Sequence, residues 1–82
     1  MKYLEGQKIA VIGLGASGVA AARLALKKGG DVYVSDTSSD EATSARGAAL
    51  TTTGASVELG RHDLDRLAGA GIVVASPGIP PE

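Results

Sequence analysis

The feature that most restricts this chain is the junction at residue 13. There the nearly continuous apolar run Lys8-Ile9-Ala10-Val11-Ile12 meets three glycines, Gly13, Gly15 and Gly18, spaced G-x-G-x-x-G. An apolar run with no polar alternation suits a strand buried on both faces of a parallel sheet. The residues from Ala16 to Lys28 are strong helix formers, with Val19, Ala22 and Leu26 at helical spacing. Strand, glycine turn and helix in direct succession open a phosphate-binding βαβ unit, and each glycine has a separate task in it. Gly13 permits the tight turn, Gly15 lets a phosphate approach the backbone, and Gly18 lets the helix close on the sheet. The helix-start N–H groups, around Ala16, Ser17 and Gly18, lack intrahelical acceptors and lie at the positive end of the dipole, which suits an anion. The Ser17 hydroxyl suits either a helix cap or a donor to that phosphate.

The rest of the chain repeats the alternation. Gly29-Gly30 stops the first helix, and Lys27 and Lys28 complement its negative end. Asp31 to Asp36 reads as a second strand. A second helix is expected from about Ser39 to Thr52, with Ser38 and Glu41 at capping-box spacing and Gly54 after its end. The β-branched Thr51-Thr52-Thr53 works against that helix. Val57-Glu58-Leu59 reads as a third strand, Asp63 to Ala68 as one or two helical turns with Asp63 as N-cap, and Ile72 to Ala75 as a fourth strand. Strands alternating with helices imply an α/β, Rossmann-like three-layer domain: a four-stranded parallel sheet with helices on both faces. Right-handed crossovers and a reversal after the first strand give the order 3-2-1-4. Eighty-two residues make one domain, residues 1–82. A doubly wound sheet ordinarily continues past such a point, so the chain reads as an N-terminal fragment. Its strand at Ile72–Ala75 is then an open edge that invites self-association.

Composition removes several chemistries. Eight basic and nine acidic residues are spread without a basic run and without interleaved aromatics, which argues against nucleic acid as a partner. Cysteine is absent, so disulfides and thiolate metal sites are excluded. The single histidine, His62, reads as a surface loop residue and cannot form a metal site without several carboxylates. No apolar stretch approaches the about 20 residues of a membrane span. Met1 to Gln7 lacks the layout of a signal peptide, and a cytoplasmic domain is expected. No nucleophile, Ser/His/Asp set or G-x-x-x-x-G-K-[ST] sequence is visible, so no catalytic residue is assigned. At the end of the second strand, Asp36 stands where dinucleotide folds place an acid that accepts from a ribose hydroxyl. The plainer reading is a solvated strand-end acid, and either way it is expected to carry little of the core. Thr37 and Ser38 line the same pocket or cap the next helix.

One further motif narrows the ligand. The strand Ile72-Val73-Val74-Ala75 followed by Ser76-Pro77-Gly78-Ile79-Pro80, taken with Gly13-Leu14-Gly15-Ala16-Ser17-Gly18 and Ser35-Asp36, resembles the N-terminal domain of the Mur ligases. The resemblance runs from Tyr3 to Pro80 and is closest to the members that add D-glutamate. The alanine-adding sister enzymes lack the Ser-Pro-Gly-Ile-Pro loop. It implies a domain that holds the UDP end of UDP-N-acetylmuramoyl-L-alanine. Gly15, Ala16, Ser17 and Gly18 would meet the diphosphate. Asp36 and Thr37 would meet the uracil end, and Ser76, Pro77 and Gly78 would line the ligand from the next loop. It also implies that ATP and Mg2+ belong to other domains, so this stretch needs no cofactor and is not catalytic alone. Ser38 departs from the pattern, standing where members often carry a basic or other polar residue. Without the Ser76–Pro80 loop, which by itself also reads as a strand-ending turn, the glycine turn and Asp36 fit an NAD(P)-binding module equally well. A scaffold that binds nothing tightly is a third reading, favoured by the aromatic-poor core.

Overall fold

The computed structural model describes residues 5–75; Ser76, Pro77 and Gly78 lie outside the described residues. The elements follow the expected alternation: β1 (Lys8–Ile12), α1 (Ala16–Lys27), β2 (Asp31–Asp36), α2 (Glu41–Thr52), β3 (Ser56–Leu59), α3 (Leu64–Ala68) and β4 (Ile72–Ala75). All strand pairs are parallel, and the order is β3-β2-β1-β4. The first strand is therefore central, with Ile9 opposite Val32 on one side and Ile72 on the other.

Period-two alternation sorts the sheet into two faces. On one, Ile9, Val11, Val32 and Val34 pack against Ala22 and Ala25 of α1 and Leu50 of α2. Leu14, Leu50, Val11 and Val34 are fully excluded from solvent, and each such side chain contributes about 1.5–3 kcal/mol. On the other face Tyr33, which alternates with Val32 and Val34, meets α3. The Arg66 guanidinium lies 4.4 Å from its ring centroid. The Asp63 N–H donates to its hydroxyl at 2.9 Å, and that hydroxyl donates to Glu58 at 2.9 Å. Burial pushes the Tyr33 phenol above the usual tyrosine range. The stability tied to its neutral form is present below the ordinary pKa and lost as pH rises through the raised one. The three layers are unequal, because α3 has no buried residue and its Leu64 is 74% exposed.

One local detail of α2 differs from the sequence expectation, and the far end of the helix, at Thr52, meets it. The second helix starts at Glu41, because Asp40 takes the N-cap and accepts from the Thr43 N–H at 2.8 Å. Ser38 instead accepts the Asp40 N–H at 3.3 Å, two residues too early to cap the helix. The Thr43 N–H holds the Asp40 carboxyl below its usual range. Its contribution is present above the ordinary carboxylate pKa and lost as pH falls through the lowered one. The helix also survives its threonine run. The Thr51 and Thr52 hydroxyls donate back to the carbonyls of Gly47 and Ala48, each at 3.0 Å, while the buried Leu50 anchors the last turn. Packing outweighs the propensity deficit.

β3 and β4 form the sheet edges. On β4, Ile72 is 38% and Val73 49% exposed. Among the described residues no helix is long and apolar enough to cross a membrane.

Candidate functional site

β1 ends at Ile12, and the chain then turns at Gly13 with φ of 104°, the left-handed region that only glycine enters without strain. The Gly13 N–H still reaches across to the Ser35 carbonyl at 2.8 Å, so the turn begins as a continuation of the ladder. Leu14 then points inward and is wholly buried, tying the turn to the core. Gly15 is the N-cap of α1, at φ −76° and ψ −177°, and supplies no capping side chain. That backbone is open to any residue, and a Cβ built on Gly15 meets nothing within 4 Å. Neither strain nor internal packing accounts for a glycine there. Its carbonyl accepts the first helical bond, from Val19 at 3.0 Å. The helix-start N–H groups of Ala16, Ser17 and Gly18 are thus left without intrahelical acceptors beside open space. Ala16 and Ser17 are exposed, and Gly18 is buried where the helix meets the sheet.

Asp36, at the end of β2, is built into this turn. Its Oδ2 accepts from the Leu14 N–H at 2.7 Å, and its Oδ1 from the Ser38 N–H at 2.8 Å. Its main-chain carbonyl accepts from Gly60 at 2.7 Å. One residue therefore fastens the glycine turn, the β2–α2 loop and the end of β3. This is a structural task that the reading of a solvated acid did not anticipate. A carboxylate offers about four lone-pair sites, so acceptor capacity remains for a ligand.

Together these residues border a cleft of about 410 Å³, lined by Gly13, Gly15, Asp36 and Thr37 and also by Thr43, Arg46 and His62. It lies at the carboxyl ends of the central strands, where open α/β sheets bind ligands. The helix start of Ala16, Ser17 and Gly18 adjoins it in sequence. Ser76, Pro77 and Gly78 follow Ala75, which pairs with Ile12 immediately before the turn. A separate cavity of about 290 Å³, bordered by Lys8, Asp31 and Arg66, opens under α3 at the amino ends of the strands. It has no glycine turn and no start of a long helix.

Three polar cleft residues, Thr43, Arg46 and His62, were missed from the sequence. Arg46, on α2, donates from Nη1 to the Leu14 carbonyl at 3.3 Å. Nothing in the spacing of a lone arginine on a helix announces that contact. His62 is half-buried, with Nδ1 2.6 Å from the hydroxyl of the fully buried Ser35. Its place just after β3 was a usable signal, since loops at strand carboxyl ends build such sites. Among the described residues no group of three or more His, Asp or Glu side chains is placed to hold a metal ion.

Comparison with known proteins bears on this cleft. The family described as Mur ligase MurD-like, N-terminal domain, matches residues 7–82. The UDP-N-acetylmuramoylalanine--D-glutamate ligase of Anaeromyxobacter dehalogenans is 47% identical over 79 residues, covering 94% of this chain and 16% of that enzyme. The enzyme of the same name from Desulfatibacillum aliphaticivorans is 40% identical over 77 residues, covering 94% of this chain and 17% of its own length. Among solved structures, the Cu(II) complex of the HOCl-induced flavoprotein disulfide reductase RclA from Escherichia coli superposes with a TM-score of 0.57. It is 23% identical, covers 76% of this chain and 15% of that one, and so shows a shared fold alone.

Proposed function

The chain belongs to the Mur ligase MurD-like N-terminal domain family, and from that premise we propose that its cleft holds the UDP end of UDP-N-acetylmuramoyl-L-alanine for a ligase that adds D-glutamate. The observation that carries the reading is Gly15, whose missing side chain neither the backbone angles nor the chain's own packing requires. A ligand that must touch the backbone does require it. In this reading the N–H groups of Ala16, Ser17 and Gly18 bind the diphosphate, with the helix dipole favouring its charge. Asp36 and Thr37 receive the uracil end, and Ser76, Pro77 and Gly78 line the ligand from the loop after β4. The role of this domain is to bind and orient. Activation of the muramoyl-alanine carboxylate by ATP and Mg2+, and attack by D-glutamate, fall to other parts of such a ligase. A UDP-linked substrate and ATP both belong to the cytoplasm, which sets the place of action.

Amide chemical shifts test the reading. Titration with UDP should move Leu14, Ala16, Ser17 and Gly18 first. The dissociation constant should be on the order of 0.1 mM or weaker, because contacts to the muramoyl-alanine end are missing. Shifts centred on the Lys8–Arg66 cavity would place the nucleotide elsewhere.

A second part of the proposal concerns β4, an edge strand of the described sheet on which Ile72 and Val73 are exposed. Unpaired strand edges recruit other strands, and pairing with a second copy is expected. Sedimentation should show a dimer that grows with concentration; a monomer at millimolar concentration would count against it.

A further inference from the structure

The start of α1 meets a diphosphate with about half an elementary charge, whereas the ligand carries two or more negative charges. Residue 38, which follows the cleft residues Asp36 and Thr37, is the uncharged serine and brings no cation. Of the residues lining the cleft, Arg46 is the one Lys or Arg among the described residues. Its Nη1–H on the Leu14 carbonyl holds the guanidinium over the glycine turn. Arg46 makes no ion pair within 4 Å among the described residues, and its charge is felt only weakly by the Asp40 carboxylate, as the last of the influences that hold that group low. Asp36 directs its two oxygens to the N–H groups of Leu14 and Ser38. A guanidinium has five N–H donors in a planar fork suited to phosphate oxygens, and one donor on Leu14 leaves the others for a ligand.

We propose that Arg46 contacts the phosphates of the bound nucleotide and makes the cleft selective for a nucleoside diphosphate over an uncharged nucleoside. The proposal rests on the reading of this cleft as a UDP site. It places the basic partner of the diphosphate on α2, while the neutral Ser38 keeps its N–H on Asp36.

The test titrates the 82-residue chain and its variants with UDP, inorganic pyrophosphate and uridine, following amide shifts. Arg46→Ala should weaken UDP and pyrophosphate about tenfold, as loss of a charge-assisted contact does, and leave the uridine shifts unchanged. Arg46→Lys should retain part of the affinity. Arg46→Gln, which keeps a donor for Leu14 but no charge, should behave like Arg46→Ala and so separates loss of charge from loss of the turn. Arg66→Ala removes the same charge from the opposite face and should change nothing. Unchanged UDP affinity in folded Arg46→Ala or Arg46→Gln would overturn the proposal and leave the UDP reading standing. Equal weakening by Arg66→Ala would overturn it as a general charge effect. Failure of the unaltered chain to bind UDP or pyrophosphate would overturn both.

Discussion

Replacing Gly15 with Val is expected to abolish nucleotide binding while leaving the chain folded. The two halves of that result have separate causes. The backbone at Gly15 is extended, at φ −76° and ψ −177°, which suits a β-branched residue, and an added Cβ touches no part of the chain. The structural cost is confined to a poorer helix N-cap, about 1 kcal/mol or less. The two γ-methyl groups, however, occupy the space beside the helix-start N–H groups of Ala16, Ser17 and Gly18. A phosphate displaced from two or three of those donors loses about 1 kcal/mol for each, or about 30- to 200-fold in affinity before steric exclusion is added. Titration with UDP checks the binding, and thermal melting by circular dichroism checks the fold. Undiminished affinity in the folded variant would remove the glycine turn from the site.

Asp36→Ala should do the opposite of what its place at a strand end suggests, and destabilise the whole domain. Removing the carboxylate strips acceptors from the N–H groups of Leu14 and Ser38 at once. Hydrogen bonds to a charged acceptor contribute about 1.5–3 kcal/mol each, and partial exposure at this site lowers the pair to about 2–4 kcal/mol. A chain of this size has about 4–12 kcal/mol in total, so the loss is a large fraction. Asp36→Asn keeps one carbonyl oxygen, and its loss should be roughly half as large. Urea unfolding of the three proteins gives the comparison. A midpoint for Asp36→Ala matching that of the parent would show that these bonds do not hold the turn. Any effect of Asp36→Ala on UDP affinity has to be measured where the variant is still folded.

Much of the fold was legible because the strands carry their burial in their composition. Lys8–Ile12 and Asp31–Asp36 are such runs and form buried strands, whereas Ile72–Ala75 reads as the same kind of buried run and forms a strand that is largely exposed, because it lies at the sheet edge. The start of α2 was not legible, because Ser38 and Asp40 both offer a capping oxygen. Only the path of the loop decides which one reaches Thr43. The same limit applies to Gly47. A Cβ there would lie 3.0 Å from Val57 Cγ1, so close packing of α2 on β3 demands a small residue. Within the helix it reads as a mere weak point. In the cleft, Gly13 and Asp36 could be located from spacing alone, since chain geometry puts the first turn beside the end of the second strand. The engagement of Asp36 with the turn, the reach of Arg46 to Leu14 and the grip of His62 on Ser35 are contacts between distant segments. No local pattern encodes them.

The central claim, that this Rossmann-like cleft serves a UDP-linked substrate and not a redox dinucleotide, is tested most directly by calorimetric titration of the same protein with UDP-N-acetylmuramoyl-L-alanine and with NAD. Measurable heat is expected for the UDP compound, with a dissociation constant on the order of 0.1 mM, and weaker or no binding for NAD. Tighter binding of NAD than of the UDP compound would contradict the account.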